Sequence, residues 1–155
     1  MTNFLGKTII HIAIENKRFK FVDKLFNWLP PNPSKELTQV ANDESNDLNL
    51  PAIMKAETKL LSIQDLDGAN ALLVAIKHGQ ENMSTRILQK AVALDVALDK
   101  TNDEEVDEHP HSTKPKLTSI MATQKNEEGH AALWMAIEMK SDLALQLVHV
   151  HSVDN

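Results

Sequence analysis

At 155 residues, 42% apolar and only 4% aromatic, the chain can bury a sizeable core, which Leu, Ile, Val, Ala and Met must fill. Its net charge of −6 argues against a phosphate-backbone partner, which needs Lys/Arg-rich faces; the basic run Lys17, Arg18, Lys20 and Lys24 reads as a solvated helix face. The absence of cysteine excludes disulfides, thiol nucleophiles and thiolate metal sites, no apolar run reaches the roughly 18 residues of a membrane span, and the first residues lack the plan of a signal peptide, so the expectation is a soluble protein of a reducing cytosol.

With Gly 4 and Pro 6 and apolar runs rich in Ala, Leu, Glu, Lys and Met, the chain reads as all-α. In the first unit, residues 3–29, a turn from Asn3 to Gly6 leads into a short helix capped by Thr8, with Ile9, Ile10, Ala13 and Ile14 buried. A second helix over 18–28 carries Phe21, Val22, Leu25 and Phe26 and stops at the prolines from Pro30. Residues 34–64 form an intervening segment: a short helix through Leu37 and Val40, a polar loop over 42–49, and a helix over 51–62 opened by Pro51.

The second unit, residues 65–98, repeats the plan. Asp65 to Gly68 form the turn, Asn70 is the cap, and a helix over 71–78 ends at Gly79. The next helix starts near Glu81 and keeps Met83, Ile87, Leu88, Ala91, Leu94 and Leu98 on one face. Residues 99–115 have almost no apolar content and read as a mobile acidic loop. Leu117, Ile120 and Met121 mark another short helix. The third unit, residues 126–150, has helices over 131–140 and 142–150, with Leu133, Ala136, Ile137, Leu143, Leu145, Leu147 and Val148 as its apolar set.

The three units share Asn/Asp-x-x-Gly, an aliphatic residue at the fourth place after Gly, and then Ala, Ile and Glu or Lys. The first, Gly6-Lys7-Thr8-Ile9-Ile10-His11-Ile12-Ala13, resembles the Thr-Pro-Leu-His-x-Ala signature of ankyrin repeats. That resemblance implies a solenoid of helical hairpins in which His11 is structural, bonding turn backbone. There are departures. The signature Pro is Ile9, Ala71 and Ala132, and its His becomes Leu73 and Trp134 in the later copies. Ankyrin units recur every ~33 residues, whereas Gly68 lies 62 after Gly6 and Gly129 lies 61 after Gly68. Either each gap of about 30 residues hides a further degenerate unit, or helical insertions separate three hairpins. Neither gap contains a glycine for the signature turn, which favours irregular intervening helices.

The residues offer little catalytic chemistry. His109-Pro110-His111 beside Glu104, Glu105, Asp107 and Glu108 combines imidazole with carboxylate but lacks a further histidine at ligand spacing. His149 and His151 belong to a helix end, and the Glu127-Glu128 pair lies in a turn with no pocket to raise a pKa. No phosphate loop, His-Glu-x-x-His or Gly-x-Ser-x-Gly occurs. The expectation is therefore a non-catalytic protein-interaction module without cofactor or metal. The ankyrin resemblance implies a partner surface built from turn tips and first helices: Lys7, Glu15, Asn70, Lys77, His78, His130, Trp134, Glu138 and Met139. Trp134 falls in the concave groove of such a stack, and Trp28 on the opposite side. Two other readings stand beside it: an enzyme, or the ankyrin-like part of one, whose site no motif reveals, and an oligomer built through the long helix after Met83. The degenerate, lysine- and asparagine-rich, cysteine-free style is similar to effectors that intracellular bacteria inject into host cells, which implies a host protein as partner and the host cytosol as destination.

Overall fold

A computed structural model describes residues 2–26, 50–102 and 115–153. These residues form eight helices and no strand: α1 (Ile9–Glu15), α2 (Phe19–Phe26), α3 (Leu50–Ser62), α4 (Ala71–Lys77), α5 (Glu81–Asn102), α6 (Leu117–Thr123), α7 (Ala132–Glu138) and α8 (Leu143–Val153). The expected all-α class holds.

Each Asn/Asp-x-x-Gly turn is closed by the same bonds. The Asn3 side chain accepts from the amides of Leu5 and Lys7, that of Asp65 from Asp67 and Ala69, and that of Asn126 from His130. The backbone repeats the pattern, with Gly6 donating to Asn3, Gly68 to Asp65 and Gly129 to Asn126 at 2.9–3.0 Å. A short side chain that mimics a backbone acceptor is what this turn requires, so Asn and Asp alternate there. A seven-residue helix follows each turn, and a tight reversal delivers the chain to the second helix. The reversal is held by Arg18 to Ala13, Gln80 to Ala75 and Ser141 to Ala136. It passes through the left-handed region, by glycine at Gly79 but by lysine at Lys17 and Lys140, each at φ 53°.

The first helices stack side by side, with α4 packed between α1 and α7. Accordingly α4 is buried along its length except at Lys77, and Ala71-Leu72-Leu73-Val74-Ala75-Ile76 is apolar all round. The turn tips stack too: the Leu66 amide donates to the Leu5 carbonyl at 3.1 Å, and the Glu127 amide to the Asp67 carbonyl at 2.8 Å. This close approach depends on glycine. A Cβ on Gly6 would lie 3.0 Å from the Leu66 nitrogen, and one on Gly68 would lie 3.0 Å from the Lys125 carbonyl oxygen.

The helices α3 and α6 each run directly into the next turn, and α5 packs against both. In each gap the described residues contain one helix, not a hairpin. The junctions are stitched by side chains. Gln124 receives the Asn70 amide at 2.7 Å and donates to the Ser62 carbonyl at 3.0 Å, while Gln80 donates to the Ile14 carbonyl at 2.7 Å.

Two expectations on this architecture change. The acidic stretch begins as helix, because α5 continues through residues 99–102. Not all of the expected apolar set is core: Ile9, Phe21, Ile137, Leu145 and Val148 are exposed. The rest of the acidic segment with His109 and His111, the segment 27–49 with Trp28, the short helix near Leu37 and the polar loop 42–49 lie outside the described residues.

Candidate interaction surface

Counting from each turn glycine aligns the three units and assigns every exposed side chain a repeat position. The ninth position holds Glu15, Lys77 and Glu138, and the tenth holds Asn16, His78 and Met139. All but the half-buried Glu15 are exposed. Because α1, α4 and α7 pack in series, these positions form a row along one edge of the stack. The backbone under the row is constant and the side chains are not: carboxylate, ammonium and carboxylate, then amide, imidazole and thioether.

Within the row Glu15 is tied to Lys7 by an ion pair that spans α1. This bond, first, and the nearby carboxylates hold the Lys7 ammonium above its ordinary pKa. The corresponding residue of the third unit, His130, pairs with Glu128 at 3.2 Å and stacks on Trp134 with ring centroids 3.7 Å apart and planes 19° from parallel.

Two of the nine expected contact residues are placed differently. Asn70 is fully buried. Its side chain caps α4 by accepting from the Leu73 amide at 3.0 Å and donates to the Met121 carbonyl at 3.0 Å, so it joins two units instead of facing a partner. Trp134 does not share the edge of Lys77 and His78. Its counterpart His11 bonds the next unit at the Ala69 carbonyl and its counterpart Leu73 is buried, whereas the indole is exposed, which places it on the end face of the third unit.

His11 is structural, as the resemblance implied. Its Nδ1 accepts from the Thr8 amide at 3.1 Å and the Thr8 hydroxyl at 2.7 Å, which leaves the proton on Nε2 to donate to the Ala69 carbonyl at 3.2 Å. Burial, opposed by the nearby Asp65 carboxylate and the Ala69 bond, holds the imidazole below its ordinary pKa.

A cleft of about 560 Å³ opens between the first and second units, lined by Lys17, Phe19, Asp23, His78, Glu81 and Arg86 among others. The Arg86–Asp23 ion pair spans it. Its charges are mixed, and its lining includes no Ser, Thr or Cys beside a base. Among the described residues no three His, Asp or Glu side chains are placed to hold a metal ion, and no helix is long and apolar enough to cross a membrane. Ile137 and Leu145, expected in the apolar set of the third unit, are exposed. Their signal lay in position: both fall where the earlier units carry residues buried by the unit that follows.

No family model matches the sequence, and it matches neither a curated protein nor a solved structure.

Proposed function

We propose that the chain is an ankyrin-like, non-catalytic module that binds another protein along the row of Lys77, His78, Glu138 and Met139, flanked by the Lys7–Glu15 pair and His130. The observation that carries this reading is the contrast between frame and decoration. Three units share the same turn bonds and a seven-residue first helix, yet the tenth position carries a different side chain in every copy and the ninth runs Glu, Lys, Glu. A constant scaffold with variable projecting groups is how stacked repeats present a recognition surface. The row mixes both charge signs with an imidazole and a thioether, which suits a polar protein surface better than a phosphate backbone. In the effector reading the partner is a host-cell protein and the module works in the host cytosol.

The test is affinity capture from cell lysate with the wild-type chain beside Lys77→Glu/Glu138→Lys. These positions are exposed, so the double variant keeps its fold. Proteins held by the wild type and lost from the variant support the surface. Capture of the same proteins at undiminished yield would place recognition elsewhere.

A further inference from the structure

The aligned units have two unlike end faces. At the third position after the turn glycine, Ile9 is 54% exposed while Ala71 and Ala132 are both 0%. At the fifth position the order reverses: His11 is 0% exposed, Leu73 1% and Trp134 46%. Other positions divide the same way. Ile12 and Phe21 are exposed although Val74 and Met83, their counterparts, are buried. Ile137 and Leu145 are exposed although Ile14 and Ile76, and Val22 and Ser84, are buried. One set of positions therefore faces the preceding unit and the other faces the following one. Among the described residues nothing covers the first set in unit one or the second set in unit three.

We infer that these end faces bind each other between two copies of the chain, the third unit of one stacking on the first unit of the next. Three observations favour a second copy as occupant. First, the contact continues an interface that the chain makes twice within itself. The Asp67 carbonyl, just before its turn glycine, accepts from Glu127; the same place in unit three is the Glu128 carbonyl. The donor place in unit one is the Phe4 amide. A Cβ at Gly129 would meet nothing within 4 Å, so the tip is as open as those of Gly6 and Gly68 are occupied. Second, both faces are apolar: Ile9, Ile12 and Phe21 on one, Trp134 and Ile137 on the other, with Leu145 at the rim of the groove it shares with Leu88 and Val92 of α5. Stacked repeats bury such faces against a neighbouring unit. Third, the charges are opposite. Residues 3–26 carry five cations against two carboxylates, and residues 126–153 carry four carboxylates against one lysine. Opposite fields steer the two ends together. The contact is heterologous, so it extends to open chains instead of closing at a dimer. It leaves the row of Lys77, His78, Glu138 and Met139 free, while the flanking His130, stacked on Trp134, lies beside the contact.

Sedimentation of the purified chain tests this. The weight-average mass is expected to rise with concentration past that of a dimer. Ile137→Glu blocks one face and Ile12→Glu the other; each variant alone stays monomeric, and an equimolar mixture forms a one-to-one dimer that grows no further. Trp134→Lys and Ile9→Lys serve in the same way should either glutamate variant lose its helical circular dichroism. A wild type that stays monomeric up to millimolar concentration overturns the inference, as does a mixture that does not dimerise. A single variant that still dimerises alone also overturns it, since like faces would then be pairing.

Discussion

The Thr118 hydroxyl donates to the Asp95 carboxylate at 2.7 Å, and the same carboxylate accepts from the backbone amides of Leu117 and Thr118 at 2.6 and 3.0 Å. An acid in the middle of α5 thus caps the start of α6, a helix whose own N-cap residue, Lys116, makes no side-chain cap bond. Both groups are buried. Asp95→Ala is expected to cost about 2–3 kcal/mol, because it orphans two buried amides and a hydroxyl that bonded a charged acceptor. Thr118→Ala, which removes one bond of three, is expected to cost about 1 kcal/mol. Equal losses in urea denaturation for the two variants would refute the cap.

Gly68→Ala and Gly129→Ala separate turn conformation from turn stacking. Both glycines have positive φ, so each substitution carries roughly 1–2 kcal/mol of backbone strain. Only at Gly68 does the new Cβ also press on the Lys125 carbonyl. Gly68→Ala should lower the thermal midpoint further, and identical midpoints would deny the close contact between tips.

His11 makes stability depend on pH. Its folded pKa lies below the unfolded value of about 6.5, so the unfolded chain binds the proton more readily. The contribution is complete above that value and is lost as pH falls towards the folded one, with a slope approaching about 1.4 kcal/mol per pH unit. Stability measured between pH 7 and 5 should fall more steeply in the wild type than in His11→Leu, which places the Leu73 counterpart at this joint. Parallel curves would count against a buried neutral imidazole.

Glu57 and Lys90 pair at 3.2 Å between α3 and α5, and Lys90 also donates to the Phe26 carbonyl at 2.9 Å. Burial, opposed by Lys90, raises the Glu57 pKa. The sign is therefore opposite to that of His11: its contribution is full below the unfolded carboxyl value, about 4.3, and is lost as pH rises through the folded one. Lys90→Leu alone should destabilise by about 3 kcal/mol, since it strands a largely buried carboxylate. Glu57→Leu/Lys90→Leu should restore most of that loss. A double variant no better than Lys90→Leu would show that the lysine acts through Phe26 instead.

The helical hairpins were legible because their signals are local. The turn needs Asn or Asp and a glycine within four residues, and close helix contact needs Ala13, Ala75 and Ala136. What was hidden depends on distant chain. Asn70 was correctly read as a cap, but its burial is decided by Met121 and Gln124, more than 50 residues away. Nothing local to Asp95 marks it as the cap of α6, which reaches it from more than 20 residues along the chain. Residues 99–102, without apolar content, read as loop, yet extending an existing helix is far easier than nucleating one. Ile137 follows Leu133 by four residues and matches the helical periodicity of the core, and periodicity cannot tell a face covered by another unit from one left open.

The backbone bonds between turn tips also have a mechanical consequence. Leu5 with Leu66, and Asp67 with Glu127, are joined main chain to main chain at about the length of a hydrogen bond, whereas the helices are spaced by side chains that can repack. The tips form the inextensible edge of the stack, like the spine of a book. A bending load, or a partner wedged between helices, would fan the units open about that spine while its spacing stays fixed.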